Sequence, residues 1–165
     1  MRFAASGILV ALALLGPAGA LAGCNDPPAP GVDWRRCYHD GADLAERDLS
    51  GATLRDSTFG RADLSRANLR EVDALRAKMI SATLVGAHLD GARLTEVDFT
   101  RADLTDASLA KADLSRARFF RATLRRADLT GATLRGTDFG NADLSGATWT
   151  DGKRVCAEGS LGNCN

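Results

Sequence analysis

From Leu44 to Trp149 every fifth residue is large and apolar, Ala74 alone excepted, and no insertion breaks the register. These 22 positions hold fifteen Leu, four Phe, Met79, Ala74 and Trp149, and Ala stands two residues before 17 of them. Arg47, Ser57, Val72, Val97 and Thr137 are the departures. A period of five excludes the ordinary elements. On an α-helix each step of five advances about 140°, which scatters the large residues around the axis. On a strand an odd step alternates faces. A leucine-rich repeat needs a period of roughly 20–29 residues. What remains is a chain that turns a corner after each short extended piece and places one Leu and one Ala inward per side.

Spacing at twenty residues tests how many sides the figure has. Phe59, Met79, Phe99, Phe119 and Phe139 lie twenty apart and hold four of the six phenylalanines of the chain. Leu44, Leu64, Leu84, Leu104, Leu124 and Leu144 form a second such series, wholly leucine. A period of five alone does not require that sorting. Four sides per coil, with like residues stacked in core columns, does.

Ala62-Asp63-Leu64-Ser65-Arg66, Ala102-Asp103-Leu104-Thr105-Asp106 and Ala142-Asp143-Leu144-Ser145-Gly146 resemble the A-[DN]-L-x-x consensus of the pentapeptide-repeat family. The resemblance covers residues 42–151. It implies an all-β fold, a right-handed quadrilateral parallel β-helix of about five and a half coils stacked about 4.8 Å apart. Ala is then a size requirement in a narrow, close-packed tube. No Pro follows Pro30, as uninterrupted bonding between coils demands. The Asp before many large residues (Asp63, Asp103, Asp113, Asp128) reads as a partner for nearby backbone N–H groups and not as a hydrolase carboxylate pair. At Val72-Asp73-Ala74-Leu75-Arg76 the pattern predicts a local bulge that turns Leu75 inward. Thr105 is expected to face solvent and to tolerate Asp.

The ends differ from the middle. Arg2, the apolar run Ile8 to Leu15, the breakers Pro17 and Gly19, and Ala20-Leu21-Ala22 predict a signal peptide over 1–22, with the mature chain starting at Gly23. The run is too short to span a bilayer. Leu21-Ala22-Gly23-Cys24 also resembles a bacterial lipobox, in which Cys24 carries a lipid. The other reading places all four cysteines in disulfides, Cys24 with Cys37 and Cys156 with Cys164, as an oxidising compartment permits. Both stay open at the level of sequence. Residues 23–41, with Pro27, Pro28 and Pro30, are expected to form an extended arm and N-terminal cap, and 152–165 a C-terminal cap. The run from Trp149 into Cys156 resembles the ending of exported family members.

For function, 21 basic against 21 acidic residues removes the general electrostatic case for nucleic acid or an anionic membrane. Some pentapeptide-repeat proteins protect DNA gyrase by resembling DNA. That role needs an acidic cytoplasmic rod, whereas residues 42–151 carry 16 basic and 17 acidic residues behind an export signal. The only histidines are His39 and His88, and no triad, phosphate loop or zinc spacing appears. No catalysis, cofactor or metal is expected, and His39 reads as a surface residue beside a capping disulfide. Two surface features remain: the arginines Arg116, Arg118, Arg121, Arg125 and Arg126, and the outward apolar residues Ile80, Val85 and Phe120. The arginines read as a solvated face interleaved with Asp113 and Asp128, with a site for an anionic envelope component as the other reading, and the apolar residues read as a protein contact or as isolated exposed side chains. The chain thus reads as an exported, non-catalytic scaffold of the bacterial periplasm or envelope, monomeric before dimeric. The alternative is a lipoprotein held to the membrane only through Cys24.

Overall fold

The computed structural model describes residues 23–165; the signal peptide read over 1–22 lies outside them. Each five-residue unit buries its first and third residues, so that in Ala102-Asp103-Leu104 the Ala and the Leu are enclosed while Asp103 stands half-exposed between them. The middle residue pairs in parallel with the residue twenty further on, from Asp33 with Thr53 through Asp128 with Thr148. No pairing in that series is displaced. The coil is therefore twenty residues and has four walls. Its ladder is a succession of single-residue bridges and not of extended strands, because each wall has only one residue to pair before the next corner.

The local hydrogen bonds explain both wall and corner. The Leu104 N–H donates to the Thr123 carbonyl at 2.7 Å, one coil ahead, and the Asp103 N–H donates to the Ala82 carbonyl at 3.0 Å, one coil behind. At the corner the Ala107 N–H returns to the Leu104 carbonyl at 3.1 Å, with Asp106 at φ 58°. An i to i+3 bond with a left-handed third residue is the signature of a type II turn. That third residue has positive φ at every corner from Gly31 to Gly146, and most corners carry no glycine. A left-handed L-residue costs about 1–2 kcal/mol, whereas glycine adopts the conformation freely but loses about 0.5–1 kcal/mol of chain entropy. Ser81 is exposed, has φ 56° and makes no side-chain bond. Ser81→Gly is thus expected to raise stability by roughly 0.5–1 kcal/mol, read as a higher denaturant midpoint with an unchanged slope.

The interior is continuous. Phe59, Met79, Phe99 and Phe119 are fully enclosed on one wall, and Phe139 follows them half-buried at the end of the column. Phe99 and Phe119 stack with centroids 4.9 Å apart and planes 9° from parallel, and Phe119 and Phe139 repeat this at 5.2 Å and 13°. Such stacks contribute about 0.5–1.5 kcal/mol beyond burial.

Three expectations are corrected. No bulge forms at Val72–Arg76: Asp73 pairs with both Thr53 and Arg93, Ala74 is enclosed, and Leu75 lies half-exposed outside. A single inserted residue would shift every later pairing, a larger loss than one short side chain. Val72, enclosed beside Ala74 where Ala is usual, returns part of the missing volume. Thr105 is half-buried, and its hydroxyl donates to the Asp103 carboxylate at 2.6 Å. Asp at 105 therefore loses that bond and sets two carboxylates together. Finally, the coil starts ten residues before the expected boundary at 42: Asp33 and Tyr38 already pair with Thr53 and Thr58.

Each end is closed over part of its walls, by its own device. At the N-terminal end Trp34 is enclosed, its indole N–H donates to the Asp26 carbonyl at 3.2 Å, and Cys24 is joined to Cys37. The Gly31 N–H meets the Ser50 carbonyl at 2.8 Å, laying the proline-rich arm against the 47–51 wall. At the C-terminal end residues 152–165 fold back in the opposite sense, pairing Val155 with Thr148 and Leu161 with Asp143, and Cys156 is joined to Cys164. This tail covers walls 142–146 and 147–151. Walls 132–136 and 137–141 have nothing bonded to their outer edge, which leaves Leu134 and Phe139 only partly buried.

Candidate interaction surface

The residue that follows each inward Leu or Phe projects from the corner, so its identity varies without cost to the core. On the phenylalanine wall this outer column runs Asp40, Gly60, Ile80, Thr100, Phe120, Gly140. Ile80 is 38% exposed and stands beside a shallow cleft of about 380 Å³ lined by Asp40, Thr58, Gly60, Arg61, Lys78 and Ser81. Gly60 makes room for that cleft: a Cβ there would come within 3.2 Å of the Asp40 carboxylate, which already accepts the Gly60 N–H at 2.6 Å.

Phe120 lies in the same column, two coils away, but is half-buried. Its ring leans over Gly140, where a Cβ would meet it at 3.1 Å, and the Arg121 guanidinium lies 5.1 Å from its centroid. Val85 is half-buried and belongs to the next wall, 82–86. The three apolar residues read from the sequence thus do not form one patch. Ile80 is the one presented to solvent.

The arginines are likewise divided. Arg116 pairs with Glu96 at 3.5 Å, Arg118 with Asp98 at 3.4 Å, and Arg126 with Asp106 at 2.7 Å, each partner twenty residues earlier. Arg125 reaches forward to Asp143 at 3.0 Å and to Glu158 of the tail at 2.7 Å. Arg121 covers Phe120. The five side chains spread over three walls and four of them are matched by carboxylates, so they make no continuous basic field. The Arg126 guanidinium holds the Asp106 carboxyl below the usual carboxylate range. In Asp143 bonds from Ser145 and Arg125 outweigh the upward push of burial, and that carboxyl is lowered too. The same twenty-residue offset joins Arg76 to Asp56 at 2.8 Å, across a cleft where half-exposed Leu75 is ringed by Arg35, Arg36, Arg55 and Arg76.

His39 is misplaced by the sequence reading, which set it at the surface. It occupies the inward slot ahead of Phe59, stacked on that ring at 5.4 Å, with the Trp34 ring tilted against its other side at 4.1 Å. Its Nε2 is buried with no hydrogen-bond partner. Burial lowers its pKa, since the charged form is desolvated. The groups around it are the two aromatic rings, with Asp40 adjacent in the chain. The unfolded chain therefore takes up the proton first. The stabilising share is intact above the ordinary imidazole value of about 6.5 and is lost as pH falls through and below it. Melting temperature should drop between neutral and mildly acid pH, and His39→Phe should remove that part of the drop; a parallel drop in the variant would reject the assignment. The signal was available in the sequence, because 39 is in register with 59, 79 and 99. His88 stands half-exposed between Asn68 and Ser108 in its ladder. Among the described residues no three His, Cys, Asp or Glu side chains converge as metal ligands.

A family model described as pentapeptide repeats matches residues 40–73, 48–84, 82–121 and 112–148. No curated protein sequence matches the chain. Among solved structures, similarity is found to HetL, a pentapeptide repeat protein involved in heterocyst differentiation regulation from the cyanobacterium Nostoc sp. strain PCC 7120. It has 34% identity over 74% of this chain and 62% of that one, with a TM-score of 0.46. The chain thus spans about three-fifths of that protein. Full-length QnrB1, a plasmid-mediated fluoroquinolone resistance protein, matches at 22% identity over 78% of this chain and 73% of its own, with a TM-score of 0.48. A pentapeptide repeat protein of the Arabidopsis thaliana thylakoid lumen matches at 28% identity, over 76% and 85%, with a TM-score of 0.28. These matches indicate no enzyme family.

Proposed function

The chain belongs to the pentapeptide-repeat family, and from that premise we propose that it is an exported, non-catalytic scaffold of the bacterial periplasm or envelope. Its rod is right-handed, of about five and a half coils over the recognised repeats. The observation that carries this reading is the pair of disulfides, one at each end of the coil. Disulfides persist in oxidising compartments and are rare in the cytosol. The walls between them present ion-paired side chains and shallow clefts, with no convergent polar groups in an enclosed pocket such as catalysis needs.

A lipoprotein anchored through Cys24 is the second reading. The joining of Cys24 to Cys37 supports export without an anchor, because a thioether-lipidated Cys24 has no sulfur left for Cys37. DNA mimicry has no support from a rod of balanced charge. Mass spectrometry of the mature protein separates the readings. A chain starting at Gly23 and lighter by four hydrogens than its reduced form is expected. A diacylated Cys24 would establish the anchor, and an unprocessed Met1 in the cytoplasm would sink both. The partner is a protein or an anionic envelope component that meets the Ile80 wall. Ile80→Asp is expected to abolish its capture from envelope fractions without changing the melting temperature, and undiminished capture would remove this wall from consideration.

A further inference from the structure

The two ends of the rod are half-covered steps. At the C-terminal end the N–H groups of Leu134, Gly136, Phe139 and Asn141 have no acceptor among the described residues. One coil earlier the equivalent N–H groups of Leu114, Arg116, Phe119 and Arg121 bond to the next coil at 2.9, 2.9, 2.7 and 2.9 Å. The four free donors thus stand at ladder spacing beside the half-buried Leu134, Phe139 and Trp149, in a cleft of about 330 Å³ that Thr137, Arg154 and Cys164 complete. Adjacent walls 142–151 are already roofed by the tail.

The N-terminal end has the opposite chemistry. The carbonyls of Tyr38, Asp40, Asp43 and Ala45, on adjacent walls 37–41 and 42–46, accept no backbone bond from the described residues. The 47–51 wall is covered by the arm, whose Pro28 and Pro30 carry carbonyls without N–H groups, and those carbonyls are also unbonded among the described residues. One end therefore offers mainly donors, with the Ala132 and Thr137 carbonyls, and the other mainly acceptors, with the Tyr38 and Asp43 N–H groups, and each has two adjacent walls with no backbone bonded to their outer edge among the described residues.

We propose that the rod joins end to end with a second copy of itself, the C-terminal step of one molecule receiving the N-terminal step of the next. The tail of the first and the arm of the second are each about half a coil, and together they make one shared coil between the rods. In that joint the arm of the second copy brings its carbonyls onto walls 132–136 and 137–141. Its walls 37–41 and 42–46 come to rest on the tail. Charge favours the same arrangement. Residues 37–46 contain Asp40 and Asp43, together with Glu46 that pairs with Arg66, and no Lys or Arg, while the tail hairpin that meets them carries Lys153 and Arg154, neither in an ion pair among the described residues. The contact is heterologous: it does not close on itself, so growth proceeds in one direction as an open series. The monomer expected from sequence is the dilute limit of that series.

Sedimentation equilibrium of the oxidised, mature protein tests the joint. Weight-average mass is expected to climb with concentration past the dimer, and less steeply at high salt, where the acid-to-base attraction is screened. Tyr38→Pro blocks the N-terminal step alone: the Tyr38 N–H has no acceptor among the described residues, which include the whole mature chain from Gly23, and its side chain is 82% exposed, so the mature fold does not need either. It should weaken association about tenfold or more while the melting temperature holds. If proline disturbs the fold, Tyr38→Lys sets a charge on the same edge against Lys153 and Arg154 and should act alike. Lys153→Glu should weaken association in low salt. A mass that stays monomeric at every concentration overturns the proposal. So does a dimer that survives both Tyr38 variants unchanged, which would place the contact on a symmetric surface elsewhere.

Discussion

Leu104→Asp is expected to leave the chain unfolded at room temperature. Leu104 is fully enclosed in the all-leucine column between Leu84 and Leu124, with Ala102 and Ala107 enclosed beside it. Loss of a buried leucine side chain alone costs about 2–5 kcal/mol. The aspartate adds the desolvation of a carboxylate in a tube whose backbone N–H groups are already committed to the ladder. Replacing a solvated charge by an unpaired buried one costs several kcal/mol more, even if the group takes up a proton. A domain of ordinary stability, about 5–15 kcal/mol, has little left after that. Circular dichroism should lose the folded signal, and a cooperative melt near that of the parent would show that 104 does not point inward. Ile80→Asp, on the outside of the same rod, is the matched control and should melt like the parent.

Trp34→Ala should cost about 3–5 kcal/mol, as large-to-small changes at buried aromatics do. Its effect should be local. Trp34 seals the first coil: it packs tilted against His39, approaches Phe59 at 6.5 Å, and ties the arm through its indole bond to Asp26. In a solenoid each coil touches only its neighbours, so damage at one end spreads by fraying. Hydrogen exchange should accelerate over 31–51 and remain slow around 104–124. Uniform acceleration along the rod would mean that the coils unfold as one unit and that this cap is not a separate element.

The interior was legible in the sequence because its rule is strict. One residue in five must be large, its neighbour two before must be small, and the column through Phe59, Phe99 and Phe139 sorts by size at twenty. The ends were less legible. Val32-Asp33-Trp34 and Cys37-Tyr38-His39 are repeats in which Trp, Cys and His stand where Ala and Leu are usual, and they adopt the same bends. A cap needs wide rings and a cross-link, so it departs from the pattern where the pattern is being sought. The surface was legible only in part. Arg116 and Glu96 look unrelated along the chain and meet because a coil returns after twenty residues. Clustering in sequence is therefore no guide to a basic patch. Ile80 was placed correctly as outward, while Phe120 was drawn down by the empty place at Gly140, which follows from side-chain packing and not from register. The exchange of large for small at Val72 and Ala74 shows the same limit, since the pattern fixes which residues face in and packing decides how volume is shared.

The uninterrupted pairing of each residue with the one twenty ahead has a genetic consequence. A deletion of one to four residues within the rod misaligns every wall beyond it, and a loss of five rotates the remainder by a quarter turn against its own columns. Excision of residues 82–101 instead joins Ser81 to Ala102, sets Met79 directly on Phe119, and returns all four walls to alignment. Length in such a molecule is inherited in whole storeys, and its gene can be shortened or lengthened by sixty nucleotides at a time with its two roofs untouched.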